Sequence, residues 1–209
     1  LGAHARYDFA TTVETYAFGL AQLAVENAET DRVVQFDGYT DSASSDWTGW
    51  GGSLALGIGQ AYPLTTNVKL GPVVWLDYSF MHQPSVTEES AHGSALHVQG
   101  ETYQSLRSSL GVKFSAQFGA DETKAALDAM LVWNHEFLKR YGTAEASFAP
   151  WRDVSFSFDE DVDTRDTGTA AVSLTGRFTD GFAASLGAGA DFGGDVSGIW
   201  GHLNLKWEF

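Results

Sequence analysis

Residues 104–118 read QSLRSSLGVKFSAQF, with Leu106, Leu110, Val112, Phe114, Ala116 and Phe118 at even positions and Ser105, Arg107, Ser109, Lys113, Ser115 and Gln117 at odd ones. Successive side chains of a strand point to opposite faces, so this period of two makes one apolar and one polar face, each held for more than ten residues. Asp166 to Thr179 repeats the pattern, with Ala170, Val172, Leu174 and Phe178 opposing Thr167, Thr169, Ser173, Thr175 and Arg177. Gly181 to Gly193 sets Phe182, Leu186 and Phe192 against Ser185, Gly187, Gly189 and Asp191. Residues 47–62, 70–83 and 124–138 behave likewise, as does Ser197 to Phe209. Tyr16 to Val25 is less regular: Phe18, Leu20, Leu23 and Val25 change parity, which suggests a bulge or a misplaced strand end.

Eight long strands follow, at about 14–26, 47–62, 69–84, 101–119, 123–139, 166–179, 181–193 and 197–209. Strands of ordinary globular proteins average about five or six residues, whereas a tilted strand crossing a bilayer needs about 9–11. The connections alternate. Those at 27–46, 85–100 and 140–165 are long, while PLTTNV, GADE and the turn at Thr179, Asp180 and Gly181 are short; Gly194 to Val196 is the exception on the long side. Short turns at one end and long loops at the other mark an all-β, antiparallel, up-and-down transmembrane barrel.

Composition and charge narrow the class of partner. The 209 residues carry a formal net charge of −15, and the spans 26–46, 84–101 and 142–166 hold 16 acidic against 3 basic residues, so nearly all of it sits in three loops. Nucleic acid is excluded as a partner, because phosphate binding needs clustered Lys and Arg. Seven Trp, 7 Tyr, 14 Phe and only 4 Pro exclude a disordered chain. With no Cys, disulfides, thiolate metal sites and cysteine nucleophiles drop out. No run of about 18 apolar residues exists for a membrane helix, since the stretch around Ala126 to Trp133 is cut by Asp128. Leu1 has no basic and apolar leader behind it, so the chain reads as a processed or truncated piece forming one domain over 1–209.

Catalytic and metal motifs find little support. The carboxylates Asp159, Glu160, Asp161, Asp163 and Asp166 begin like a calcium loop, but Thr164 stands where the turn glycine belongs and Ala170 where a bidentate Glu belongs. They read as a solvated acidic tip. None of His4, His82, His92, His97, His135 and His202 has metalloprotease spacing, and His135 and Glu136 fall on opposite strand faces. No nucleophile elbow, phosphate loop or dinucleotide fingerprint occurs. No enzymatic activity and no cofactor are expected. The polar faces instead gather Asp77, Arg107, Lys113, Asp128, Asn134, Glu136, Arg177, Asp191, Lys206 and Glu208 among small residues, a composition suited to a wet lumen.

Residues 70–118, with LDYS at 76–79 and SLRSSLG at 105–111, resemble the translocator β-barrel of bacterial autotransporters (type V secretion). LVWNHEF at 131–137, DTGTAAVSLTGRF at 166–178 and HLNLKWEF at 202–209 extend the likeness over essentially the whole chain. It implies a bacterial outer-membrane domain with a periplasmic C-terminus that exports its own N-terminal passenger. The partners it implies are outer-membrane lipid, lipopolysaccharide and the barrel assembly machinery, and the protein is expected as a monomer. Leu203, Leu205, Trp207 and Phe209 would form the assembly signal. Such barrels have twelve strands and a pore helix, so the first strands, the helix and the passenger would lie upstream, with Gly2 to Phe9 the tail of another strand. Three other readings stay open. One is a small eight-stranded outer-membrane structural or adhesive barrel without a passenger. The second is a soluble lipocalin-type barrel with its apolar face inward. The third is an outer-membrane enzyme using His135 or Glu136.

Overall fold

The computed structural model describes residues 1–119, 124–138, 143–159, 164–179, 181–194 and 196–207. Every regular element among them is a strand. In chain order these are β1 (Gly2–Phe9), β2 (Glu14–Phe36), β3 (Tyr39–Pro63), β4 (Val68–Gln83), β5 (Val86–Thr87), β6 (Glu89–Ser90), β7 (Leu96–Val98), β8 (Glu101–Phe118), β9 (Lys124–Glu136), β10 (Thr143–Phe148), β11 (Trp151–Asp159), β12 (Asp166–Thr179), β13 (Phe182–Gly193) and β14 (Val196–Trp207). Nine long strands form one antiparallel meander in the order β1-β2-β3-β4-β8-β9-β12-β13-β14. The eight expected strands are all present, and β1 is the ninth. Its GAHARYDF alternates small or aromatic residues with polar ones and pairs residue for residue with β2, from Gly2 opposite Gln22 to Phe9 opposite Thr15.

Two readings of the sequence are corrected. β2 has no bulge: its register with β3 runs unbroken from Glu14 opposite Ala61 to Phe36 opposite Tyr39. Tyr16, Phe18 and Leu20 share the polar face because small residues lie opposite them; a Cβ on Gly57 would collide with the Phe18 ring, and one on Gly59 with the Tyr16 ring. The span 27–46 is likewise not a loop. β2 and β3 continue as a hairpin far above the end of β4, closed by a tight turn at Asp37 and Gly38, where Gly38 has φ of 73°. Gly is the residue that takes this conformation at little cost. The spans 85–100 and 140–165 also contain strands: β11-β10-β7-β5 form a second small sheet, and β6 pairs with β3.

The long sheet curls. A crevice of about 220 Å³ is lined by Arg6 of β1, Glu14 and Tyr16 of β2, Lys69 of β4, Lys113 of β8 and Asp128 of β9. Strands so far apart in sheet order share a crevice only if the sheet bends toward the face carrying these residues, so the polar face is concave. The apolar face is convex and open: Leu56, Leu131, Leu186 and Leu203 are each 60–65 % exposed. In water such a contiguous apolar surface would not persist. This geometry excludes the lipocalin-type reading, which requires the apolar face inside.

Candidate functional site: the concave polar face

Register fixes the facing of every side chain in the meander. Asp77, Arg107, Lys113, Asp128, Asn134, Glu136, Arg177, Asp191 and Lys206 all fall on one face, through pairs such as Asp77 opposite Arg107, Thr169 opposite Asp191 and Ala183 opposite Lys206. Arg107 and Asp77 form an ion pair at 3.2 Å, and Lys113 and Asp128 one at 3.6 Å. Asn134, buried at 4 % exposure, is the centre of a chain of bonds across four strands. Ser109 Oγ donates to Asn134 Oδ1 at 2.8 Å, Asn134 Nδ2 donates to Thr169 Oγ1 at 3.0 Å, and Thr169 Oγ1 donates to Asp191 Oδ1 at 2.6 Å. Glu136, also buried, accepts from Ser105 Oγ and from the Leu106 and Leu138 amides at 2.9 and 3.1 Å. Arg177 and Lys206 flank Ala183 at the end of the short turns.

The structure adds a second cluster at the same end. Arg6 bonds Asp8 at 2.7 Å and Glu14 at 3.3 Å and lies 4.0 Å above the Tyr16 ring; Lys69 pairs with Glu14. Sequence reading passed over Arg6 and Asp8 because Gly2 to Phe9 was read only as the tail of another strand, although its parity already put both with the polar set. Among the described residues no buried side-chain nitrogen or oxygen lacks a partner. The face therefore offers several charges held in local ion pairs, among them Asp77 with Arg107 and Lys113 with Asp128, together with small polar groups, which suits a hydrated passage that holds an extended chain without gripping it.

His135 and Glu136 are separated as their adjacency requires. Glu136 points into the concavity, while His135 Nδ1 lies 2.9 Å from Asp166 Oδ1 on the convex side, where Trp133 Nε1 also donates to Asp166 at 3.0 Å. Among the described residues no three His, Asp or Glu come together as a metal site. The acidic run Asp159 to Asp163 lies outside the described residues apart from the backbone of Asp159.

The convex face carries two rows of aromatic rings. Toward the long connections lie Trp50 with Phe80 and His82, and Trp133, His135 and Phe137 in a line; toward the short turns lie Phe178, Phe182 and Trp207, at 5.9 and 5.4 Å. From Phe182 to Phe192 on β13, ten residues at about 3.4 Å each and a tilt of about 40° give about 26 Å, the height of an outer-membrane apolar band between aromatic girdles. Leu203, Leu205 and Trp207 are exposed on this face of β14, and Phe209 lies outside the described residues.

A curled antiparallel meander with a lipid-facing convex belt and a polar, charge-paired concavity is an outer-membrane β-barrel domain. The family model of the autotransporter beta-domain matches residues 1–189, nine-tenths of the chain. The chain belongs to that family, whose barrels are outer-membrane translocator domains of type V secretion and generally not catalysts. No curated protein matches it significantly.

Proposed function

We propose that residues 1–209 form one translocator domain that anchors in the outer membrane and exports an N-terminal passenger to the cell surface. The observation that carries this reading is the pairing of the two faces: an apolar convex belt about 26 Å tall backs a polar concavity that holds local ion pairs and hydrogen-bonded polar groups. A wall of this kind stabilises neither charge strongly, so a polypeptide of mixed sequence passes without being trapped. The nine sequence-predicted polar residues, Asp77 to Lys206, then line the lumen.

β1 and β14 are the edges of the long sheet. Unpaired backbone groups are costly in hydrocarbon, so in the membrane these edges pair with further strands. The short turns, and with them the C-terminal end of β14, face the periplasm, and the long hairpins face outward. Outer-membrane lipid and lipopolysaccharide surround the belt, and the barrel assembly machinery reads Leu203, Leu205, Trp207 and Phe209 at the end of the chain. The working unit is a monomer, and neither nucleic acid nor a cofactor takes part.

The test is an epitope placed N-terminal to the domain in the full-length protein, probed with protease in intact cells. Cleavage from outside is expected. An inserted, heat-modifiable barrel whose epitope stays in the periplasm overturns the export role while leaving the fold untouched.

A further inference from the structure

The lipid side of the wall is not an even surface. Across β1 to β4 the register sets small convex residues, Ala3, Ala21 and Gly52, between large ones. They floor an apolar groove of about 640 Å³, with Leu23 on one side and Leu54, Tyr78 and Phe80 on the other. The floor is narrowest at Gly52, where a Cβ would stand 3.1 Å from the Phe80 ring and 3.2 Å from Leu23. The aromatic wall is held in place: Tyr78 Oη donates to Gln104 Oε1 at 2.8 Å, and Phe80 meets Trp50 edge-on with ring centroids 5.2 Å apart. On β3 the exposed rings of Trp50 and Tyr62 bound the belt, so its midplane passes near Leu56 and the groove lies above it. Two residues above Trp50 the same face turns polar, where Thr48 Oγ1 donates to Asn27 Oδ1 at 2.8 Å. The groove thus occupies the half of the belt next to the long hairpins and ends below a polar boundary.

What fills such a groove is decided by its surroundings. Lipid tails are as apolar as leucine, so in the membrane the hydrophobic effect selects no occupant and packing does. A gap left empty forfeits dispersion contacts along both walls, each small and together large. A further strand continuing the sheet pairs in its plane at the edge of β1 and leaves this face open. A bulky body does not reach a floor that narrows to a single methyl group at Gly52, whereas the straight hydrocarbon chains that line the rest of the belt lie along it. We propose that this groove holds one acyl chain of a lipopolysaccharide molecule of the outer leaflet, as a slowly exchanging resident and not as part of the fluid surround. The volume falls within the range of about 300–1,000 Å³ usual for small-molecule sites. Fixed walls mean that little ordering of the protein opposes binding. This inference rests on the outer-membrane orientation proposed above, with the long hairpins outward, but not on export.

The experiment uses the full-length protein, extracted from outer membranes in mild detergent and released from the micelle for native mass spectrometry. The parent is expected to carry one bound lipopolysaccharide. Ala3→Leu with Ala21→Leu, directly opposite each other on β1 and β2, fills the groove and keeps the lipid side apolar, so insertion and heat-modifiable migration should remain. The ratio of lipopolysaccharide-bound to free protein should fall at least about tenfold. Ala129→Leu, on the convex face of β9 outside the groove, is the control and should keep the lipid. A parent without lipopolysaccharide, equal amounts on parent and filled variant, or equal loss in the control overturns the proposal. So does phospholipid in its place, which would assign the groove to the inner leaflet, and so does a second copy of the chain that the filled variant sheds. If the double variant fails to insert, Ala21→Leu alone is read by the same measurement. An epitope that stays periplasmic while the groove keeps its lipopolysaccharide would refute export and leave this inference standing.

Discussion

Leu174 and Thr175 are neighbours on β12 that the fold sends to opposite sides of the wall, and one substitution made at each separates lipid from lumen. Leu174 is 53 % exposed on the convex face, opposite Leu127 and Leu186. The upper aromatic row crosses β12 at Gly168, between Trp133 and Phe192, and the lower at Phe178. Leu174 therefore sits about 3 Å from the midplane of the belt, taking about 3.4 Å per residue and the strand tilt. An arginine there costs about 2–4 kcal/mol, a fall of about 30-fold to 700-fold in the folded-to-unfolded ratio. Thr175 faces Ala126 and Ser185 across the ladder, small residues on the concave side with Asp128 nearby, so Thr175→Arg should stay within about 1 kcal/mol of the parent. Urea titration of the barrel refolded into phosphatidylcholine vesicles, followed by tryptophan fluorescence and electrophoretic mobility, measures both. Equal costs, or a greater cost at Thr175, would refute the assignment of the convex face to lipid.

Asn134→Ala removes two hydrogen bonds and leaves Ser109, 1 % exposed, without its acceptor, so a loss of about 2–4 kcal/mol is expected in the same titration. Asn134→Asp, which keeps the acceptor, should lose less. Protection of the Ser94 and Leu96 amides, which donate to the Asp41 and Glu88 carboxylates, should be constant from pH 7 to about pH 5. Both carboxyls are depressed in the folded state, Asp41 chiefly by Ser94 and Glu88 by Arg32 against the opposing effect of its burial. Their contribution is therefore full above the ordinary carboxylate range and is lost as pH falls through the lowered values; exchange measured by mass spectrometry that opens already at pH 6 would refute this. Deleting Phe209, or replacing Trp207 by Ser, should lower the amount of barrel recovered from outer membranes; unchanged levels on fractionation would count against an assembly signal there.

How much of this was legible in the chain depends on where a strand stands. Inside the membrane the lipid side demands apolar residues and the lumen tolerates polar ones, so alternation is enforced and β4, β8, β9, β12, β13 and β14 announce themselves. Above the membrane both faces of a hairpin meet water. The 27–46 segment loses its apolar face while its backbone ladder continues, and the only remaining signal was the Asp37 and Gly38 pair between Phe36 and Tyr39. β10 and β11 were hidden for the same reason. Tyr16, Phe18 and Leu20 misled in another way, since their inward facing is permitted by Gly57, Gly59 and Ala55 on the neighbouring strand. A rule that looks along one strand cannot weigh what lies across from it.

Facing, strand direction and the separation of belt from lumen were thus written into the chain, because a period of two is a local property that backbone geometry converts directly into sides. Which polar groups meet was not. Asp41 and Ser94 are 53 residues apart, Arg32 and Glu88 56, and Asn134 and Thr169 35. Their encounters depend on register summed across several strands and on how far each hairpin rises above the wall. Those quantities come from the cooperative pairing of the whole sheet, and no single segment carries them.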